Sequence, residues 1–590
     1  MEYWAVAEQL ASFRPPSMTE ADIQRLELEA RRIGHGFEVS PLRFPELIGG
    51  DRRQDFPHFW LYPLVNVPGL WVTRLVGLHP NWAFTFTNCA LLLMAFAIVS
   101  MEVSMAWAGL VLLGPLMWWL DKAHGDVFAV SMLASACALW ARMPHWTLLF
   151  FAPAAAQNPA LMPAWCLVAI VALSRIGREP GIRTRDAARV GLGVLVGAIV
   201  IVTPLAYYYT RLHVWSPLVG YTRLGWPSLR TMTSLVFDPN VGLIPNVPAF
   251  GVATIMVIAV ARPSRRSVPL EWRNWLLAAG GWGLLLTGYA QSVNVNHGAT
   301  PGVNRWTLWL LPLLLLVVPR RLSTESEAAP PRLETGLIAL VVLNTAWGVW
   351  FFRPSLPEVY RAPTRSASWL WTHAPAWYSP APEIFAERVS GREPPALPAA
   401  WEGCTKVLAI EGQWPAPCLP PRTIPSACLE PGSLCYANGA DVRLVTTGDS
   451  DNTTSFVSLG TSSFPNVLTP QRWSPKQPFV TTLSTRITGG RAGDSGLIPQ
   501  RLSTSALRAT SGIAWASVWA STSTIALYLD TVAPDATLWL RVDVDYRGRL
   551  IDLDTDRTVA DIEVGRSGGN PAAIKPATAV RHALLWLERQ

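Results

Sequence analysis

Residues 50–70 read GDRRQDFPHFWLYPLVNVPGL. Acids, bases and a histidine (Asp51, Arg52, Arg53, Asp55, His58) crowd the first half. Trp60, Leu61, Leu64, Val67 and Leu70 give the second half an apolar face at helical spacing. Charge stops and apolar bulk begins, as where a chain arrives at a membrane surface from water. Residues before this stretch are polar or amphipathic, and nearly everything after it up to Phe352 is bilayer-like.

Composition supports a membrane reading. At 590 residues the chain is too long for one ordinary domain. Apolar residues make up 50% and charged residues 15%, below the usual quarter. Lys and Arg number 48 against 41 Asp and Glu. The excess is nearly all arginine, placed in short breaks between apolar runs, which points to membrane topology and away from nucleic acid.

Ten apolar runs follow one another, at roughly 83–100, 105–120, 127–141, 146–157, 161–174, 190–208, 247–261, 274–290, 306–319 and 335–352. Several fall short of the roughly 20 residues that cross a bilayer, so tilted or broken helices are expected. Three basic breaks, Arg175–Arg189, Arg262–Arg273 and Arg320–Arg332, face the cytoplasm by the positive-inside rule. Two crossings separate each from the next. Pro159 and Pro163 break 146–174 into a hairpin. Counting backward then puts Gln157-Asn158, the DKAHGD segment at 121–126 and residues 1–57 outside. Residues 58–78, with Pro63, Pro68 and Arg74, lie along the membrane rather than across it.

The expected organisation is an extracytoplasmic loop with juxtamembrane helices over 1–82, a multi-span region over 83–352, a connector over 353–394 and an extracytoplasmic mostly β domain over 395–590. In the first segment a helix over about 2–12 is followed by one over Thr19–Ile33, with Thr19 as its N-cap and Asp22 three residues on. In the last, β-branched or alternating runs at 442–447, 479–487, 513–519, 523–529, 536–545 and 557–564 read as strands. Residues 575–588 read as a short helix. Cys404, Cys418, Cys428 and Cys435 predict two disulfides in an oxidising compartment, with three pairings open. No C-x-x-C pair favours zinc instead.

Five polar clusters share the outer face: Glu2, Asp51–His58, Asp121–Asp126, Gln157-Asn158 and Asn294–Arg305. Charged groups beside apolar helices are costly unless paired or functional. Asp51, Asp55, Glu2 and Asp126 are the catalytic acid and base candidates. His58, Lys122, His124, Asp121, Gln157, Asn158, Asn296, His297 and Arg305 are candidates for holding a substrate, with Arg53 a further cation for phosphate. Plainer readings stand beside these: a solvated flank for 51–53, an i,i+4 ion pair between Lys122 and Asp126, a polar turn at 157–159, and an anchor role for Arg305. Tyr207, Tyr208 and Tyr209 with Trp215 read as an aromatic belt. Asn294, Asn296 and His297 bring a divalent metal to mind, but no carboxylate cluster supports one, and no cofactor is expected.

The layout resembles the bacterial polytopic glycosyltransferases of the GT-C class. The resemblance is carried by HFWLYPLVNVPGLWVTRLVGLHP leading into NWAFTFTNCALLL, by KAHGDVFAVSMLA with Asp126 or Asp121, by FDPNVGLIPNVPAF at 237–250, and by NHGATPGVNRWTLWLLP at 296–312. It covers residues 1–352. It implies a polytopic α-helical membrane protein of about ten spans in the bacterial inner membrane. It also implies sugar transfer from a polyprenyl-phosphate donor to an extracytoplasmic glycan, lipid or protein acceptor. In that family a span precedes the first acidic motif, and MEYWAVAEQLA looks like the segment just after it. The expectation is therefore a misassigned start with a further helix upstream. A scaffold displaying the β domain and a lipid or polysaccharide transporter are the competing functions.

Overall fold

The computed structural model describes residues 2–32, 47, 53–56, 58–178, 184–216, 227–260, 269–291, 299–300, 303–318, 331–351, 362–391, 398–410, 413–415, 418–420, 424–429, 433–438 and 441–446, then strand segments between 498 and 589. Four helices come first: α1 (Glu2–Ala11), α2 (Glu20–Arg32), α3 (Leu61–Val65) and α4 (Val67–Leu75). A helical bundle follows, with α5 (Asn81–Glu102), α6 (Met105–Leu112), α7 (Asp126–Leu139), α8 (Pro144–Gln157), α9 (Met162–Arg178) and α10 (Thr184–Leu212). Next come α11 (Leu229–Phe237), α12 (Leu243–Asn246), α13 (Pro248–Val260), α14 (Pro269–Ala290), α15 (Arg305–Leu308) and α16 (Pro331–Phe351). Helices α17 (Arg365–His373) and α18 (Pro382–Ser390) then lead into the strands.

Among the described residues, three helices are long and apolar enough to cross a membrane: Asn81–Glu102, Pro159–Ile176 and Thr184–Leu212. At 1.5 Å per residue the first spans about 33 Å, the thickness of a bilayer core. The protein is thus a multi-pass α-helical membrane protein with a C-terminal β-rich region. Shorter apolar helices at Asp126–Leu139, Pro248–Val257, Arg305–Leu316 and Thr335–Trp350 complete the bundle.

Two of the expected apolar runs are not continuous α-helices. The run at 105–120 breaks at Gly114, whose φ of 140° suits only glycine, and resumes as a 3-10 turn over Pro115–Trp119. That break is held from α16: the Asn344 amide donates to the carbonyls of Leu110 and Leu113. A Cβ on Gly348 would lie 2.7 Å from the Gly114 Cα, so both glycines serve this close crossing. The run at 306–319 is α15 followed by a 3-10 turn over Leu311–Leu316, with Pro312 near the start of that turn. The break at 157–159 falls as expected, α8 ending at Gln157 and α9 opening at Met162.

Helices α1–α4 form a cap with its own apolar core. Trp4, Val6, Ile23, Leu26, Phe56, Phe59, Tyr62 and Leu70 pack there against Phe84 of α5, Phe128 of α7 and Tyr208 of α10. Helix α2 starts as its sequence directs. The Thr19 hydroxyl accepts from the Asp22 amide, and Asp22 accepts from the Thr19 amide and hydroxyl. At 5 and 9 residues, α3 and α4 are far too short to span a bilayer.

In the C-terminal region, strands 399–400, 407–410, 434–438 and 441–446 form an antiparallel four-stranded sheet. Disulfides Cys404–Cys418 and Cys428–Cys435 settle the three open pairings. A six-stranded sheet runs in the order 557–564, 546–552, 583–589, 524–532, 513–520, 498–499, and a three-stranded sheet pairs 572–574, 538–540 and 507–509. The helix expected over 575–588 is not formed among its described residues: Ala583–Arg589 is a strand flanked on both edges, and 575–582 lie outside the described residues. Its run LLWL is apolar without alternation, a pattern that fits a doubly flanked strand as well as a helix. The strand expected at 479–487 lies outside the described residues.

Candidate functional site

The site grows from a polar residue in the first long helix. Asn88 of α5 is fully buried. Its amide nitrogen donates to the carbonyls of Trp119, Leu120 and Lys122 at 3.1–3.2 Å, and its oxygen accepts from the Tyr62 hydroxyl at 2.9 Å. Three carbonyls drawn to one amide hold 119–122 as a turn, so the chain re-enters a helix only at Asp126. The expected i,i+4 arrangement of Lys122 and Asp126 is therefore not formed. Lys122 instead pairs with Asp121 at 2.6 Å and lies over the Trp118 ring.

That turn presents His124 and Asp126. His124 Nδ1 lies 2.6 Å from Asp126 Oδ2, and the other Asp126 oxygen accepts from the Trp309 indole at 3.0 Å. On the opposite side, Arg305 Nη1 lies 2.6 Å from His124 Nε2. A guanidinium only donates, so Nε2 accepts and the ring proton sits on Nδ1, facing Asp126. Burial holds the His124 pKa below its ordinary value, with the neighbouring Asp126 carboxylate pulling against it. Burial and the Arg305 donor both favour the neutral imidazole.

Helix α1 supplies the other half. Tyr3 stacks on His58 at 4.8 Å between centroids and meets His124 edge-on at 5.3 Å. Glu2 Oε2 lies 3.2 Å from His58 Nε2. The Glu2 side chain is 21% exposed and that of His58 26%, against 1% for Asp126. Glu2 and His58 thus stay partly accessible, with Glu2 Oε2 itself buried, while Asp126 sits behind. Dense protein around Glu2 pushes its carboxyl up to about 7.

Other expected site residues hold the frame. Gln157, at the end of α8, accepts from the Tyr62 amide at 2.7 Å and donates to the Phe59 carbonyl at 2.9 Å. It thereby fastens the 59–62 backbone to the bundle. Asn158 adjoins it as an extended residue ending α8. Arg53 is bound to Ser17 through two hydrogen bonds. Asp55 is 1% exposed and accepts from the Tyr207 hydroxyl at 2.8 Å and from Arg211 Nε at 2.9 Å. The structure therefore brings Glu2, His58, His124, Asp126 and Arg305 together and places Asp55 in a separate buried ion pair. Asp51, Asn296 and His297 lie outside the described residues. Among the described residues no group of three or more His, Cys, Asp or Glu is placed to hold a metal ion.

Sequence reading did not single out Tyr3, Trp309 and Arg211, and it took Tyr207 only as part of an aromatic belt. Arg211 stands one helical turn past Tyr207, and that spacing was the available signal. The aromatic-belt reading fits Tyr209, which stacks on Trp215 at 4.4 Å and is 44% exposed. It does not fit Tyr208, which is buried and donates to the His58 carbonyl.

Compared with protein-family models, with curated proteins and with solved structures, the chain has no match. The class is therefore defined by fold alone: a multi-pass membrane protein whose C-terminal region is β-rich and disulfide-bonded.

Proposed function

We propose that this protein is a membrane glycosyltransferase of GT-C-like architecture. In this reading it has about ten spans in a bacterial cytoplasmic membrane. It moves a sugar from a polyprenyl-phosphate donor to an extracytoplasmic glycan, lipid or protein acceptor, and the C-terminal β-rich region also lies outside. The observation that carries the reading is the meeting of Glu2, His58, His124, Asp126 and Arg305, drawn from four distant stretches, at one end of the bundle. A scaffold that only displays the β region has no use for such a convergence.

The chemistry assigns each group a task. Glu2, beside His58, takes the proton from an acceptor hydroxyl as its oxygen attacks the sugar C1. The C1–O bond to phosphate breaks, and the electron pair leaves on the polyprenyl phosphate. Arg305 meets that developing charge. Asp126 and Trp309 fix the His124 tautomer, and His124 in turn orients Arg305. Base and cation are then held by two imidazoles, His58 and His124, that both touch the Tyr3 ring.

The test is transfer of labelled sugar from polyprenyl phosphate in proteoliposomes. Glu2→Gln and Arg305→Ala should each cut transfer about 100-fold or more while the protein stays folded in detergent. Wild-type rates in either variant would sink the reading.

A further inference from the structure

Loop 238–241 touches both the C-terminal segment and the backbone that carries Arg305. Its centre is Asp238, buried, whose Oδ1 accepts from the backbone amides of Asn240 at 2.7 Å and Val241 at 3.3 Å. The same oxygen accepts from the Tyr378 hydroxyl at 2.6 Å. Tyr378 lies beyond α17, where its ring stacks on Trp371 in the apolar core of the C-terminal segment. Asn240, fully buried, donates its amide to the Tyr378 hydroxyl at 2.9 Å and accepts from the Thr364 amide at 3.1 Å. The Thr364 hydroxyl donates to the Pro239 carbonyl at 2.9 Å. Arg230 of α11 reaches the carbonyls of Ser379 and Pro380. The loop is thus gripped from residues 364–380.

Its far side is gripped as well. The Val241 carbonyl accepts from the Asn304 amide at 2.9 Å. Asn304 is fully buried and caps α15, its side-chain oxygen accepting from the Trp306 amide at 2.9 Å. Arg305 is the next residue, and Trp309 one turn on holds Asp126. Gly242 shows how little slack remains, since a Cβ there would lie 2.4 Å from the Asp238 nitrogen.

We propose that Asp238 and Tyr378 are positioning residues for Arg305, joining the C-terminal segment to the site through Asn240, Val241 and Asn304. Whatever binds or shifts the C-terminal segment thereby sets where the guanidinium stands relative to a leaving phosphate. The effect on rate rests on the sugar-transfer reading; the mechanical linkage does not.

The test uses full-length protein in nanodiscs and reads two quantities. In Tyr378→Phe, backbone amides of 303–309 should exchange about tenfold faster, as expected for loss of a charge-assisted hydrogen bond, while those of α7 stay unchanged. Asp238→Ala should do the same, and Asp238→Asn, which keeps an acceptor, should restore protection. Sugar transfer by Tyr378→Phe should fall about tenfold in kcat with the acceptor KM unchanged. Unchanged exchange at 303–309 in both Tyr378→Phe and Asp238→Ala overturns the linkage, as does faster exchange spread evenly over the bundle. If exchange responds but neither Glu2→Gln nor Arg305→Ala affects transfer, the linkage holds and the sugar-transfer reading falls.

Discussion

Arg305 and His124, 181 residues apart in sequence, meet at 2.6 Å between Nη1 and Nε2. The contact needs a neutral imidazole, and Asp126 on the other ring nitrogen secures that tautomer. Lysine keeps the charge of arginine but not its planar fork. Arg305→Lys should therefore lose the leaving-group contact and lower kcat about 100-fold, the cost of one preorganised donor. Initial rates in proteoliposomes check this; a loss under threefold would remove Arg305 from the chemistry.

Glu2 gives the pH dependence. Its carboxyl is raised from 4.5 to about 7 by burial, so the base form fills only as pH rises through that value. Transfer should climb with pH and reach half its maximum near 7, and Glu2→Gln should flatten the climb while cutting the rate about 100-fold. The sign for stability is opposite. A raised acid favours the fold below 4.5, and that contribution is lost as pH rises through about 7. Thermal unfolding in detergent at pH 5 and 8 separates the two effects.

The Asp55–Arg211 pair should behave as structure. Asp55→Asn removes the carboxylate that faces Arg211 and Tyr207, and breaking a buried pair from one side costs about 3–5 kcal/mol. Folded yield should drop sharply. Adding Arg211→Met should recover part of it, since the guanidinium that faced the lost carboxylate is then replaced by an apolar side chain. If Asp55→Asn is fully folded yet inactive, Asp55 belongs to the chemistry after all.

Lys406 predicts a second pH effect, in the C-terminal segment. Its ammonium is fully buried and donates to the Pro375 carbonyl, Ser379 Oγ and Asn438 Oδ1. Burial pushes its pKa from 10.5 down to about 7. Between those values the unfolded chain holds a proton that the fold has released, so stability rises with pH from about 7 upward. Lys406→Met should remove that slope. Unfolding of the full-length protein, followed by Trp fluorescence at pH 6.5, 8 and 9.5, measures it.

The membrane character, the breaks between helices and the clustering of cysteines were legible because each depends on local composition. Pro159, the arginine loops and the Thr19 cap act on their own neighbourhoods. The site was legible only in its members. Glu2, His58, His124, Asp126 and Arg305 all stood out as polar groups beside apolar runs, but their partners are 56 to 183 residues away or set by a turn. Asp55 and His58 looked alike from three residues apart; burial beside Arg211 separates them. Residues 583–589 misled because an apolar run without alternation has no period to read.

Gln157 and Arg211 impose an order on assembly. The Phe59 carbonyl and Tyr62 amide wait for a side chain made 98 and 95 residues later, and Asp55 waits for one made 156 residues later. A ribosome releases the cap long before α8 and α10 exist to receive it. The N-terminal segment must therefore stay unsettled at the membrane face until the bundle is inserted. It is synthesised before the helices that receive it and finished after them.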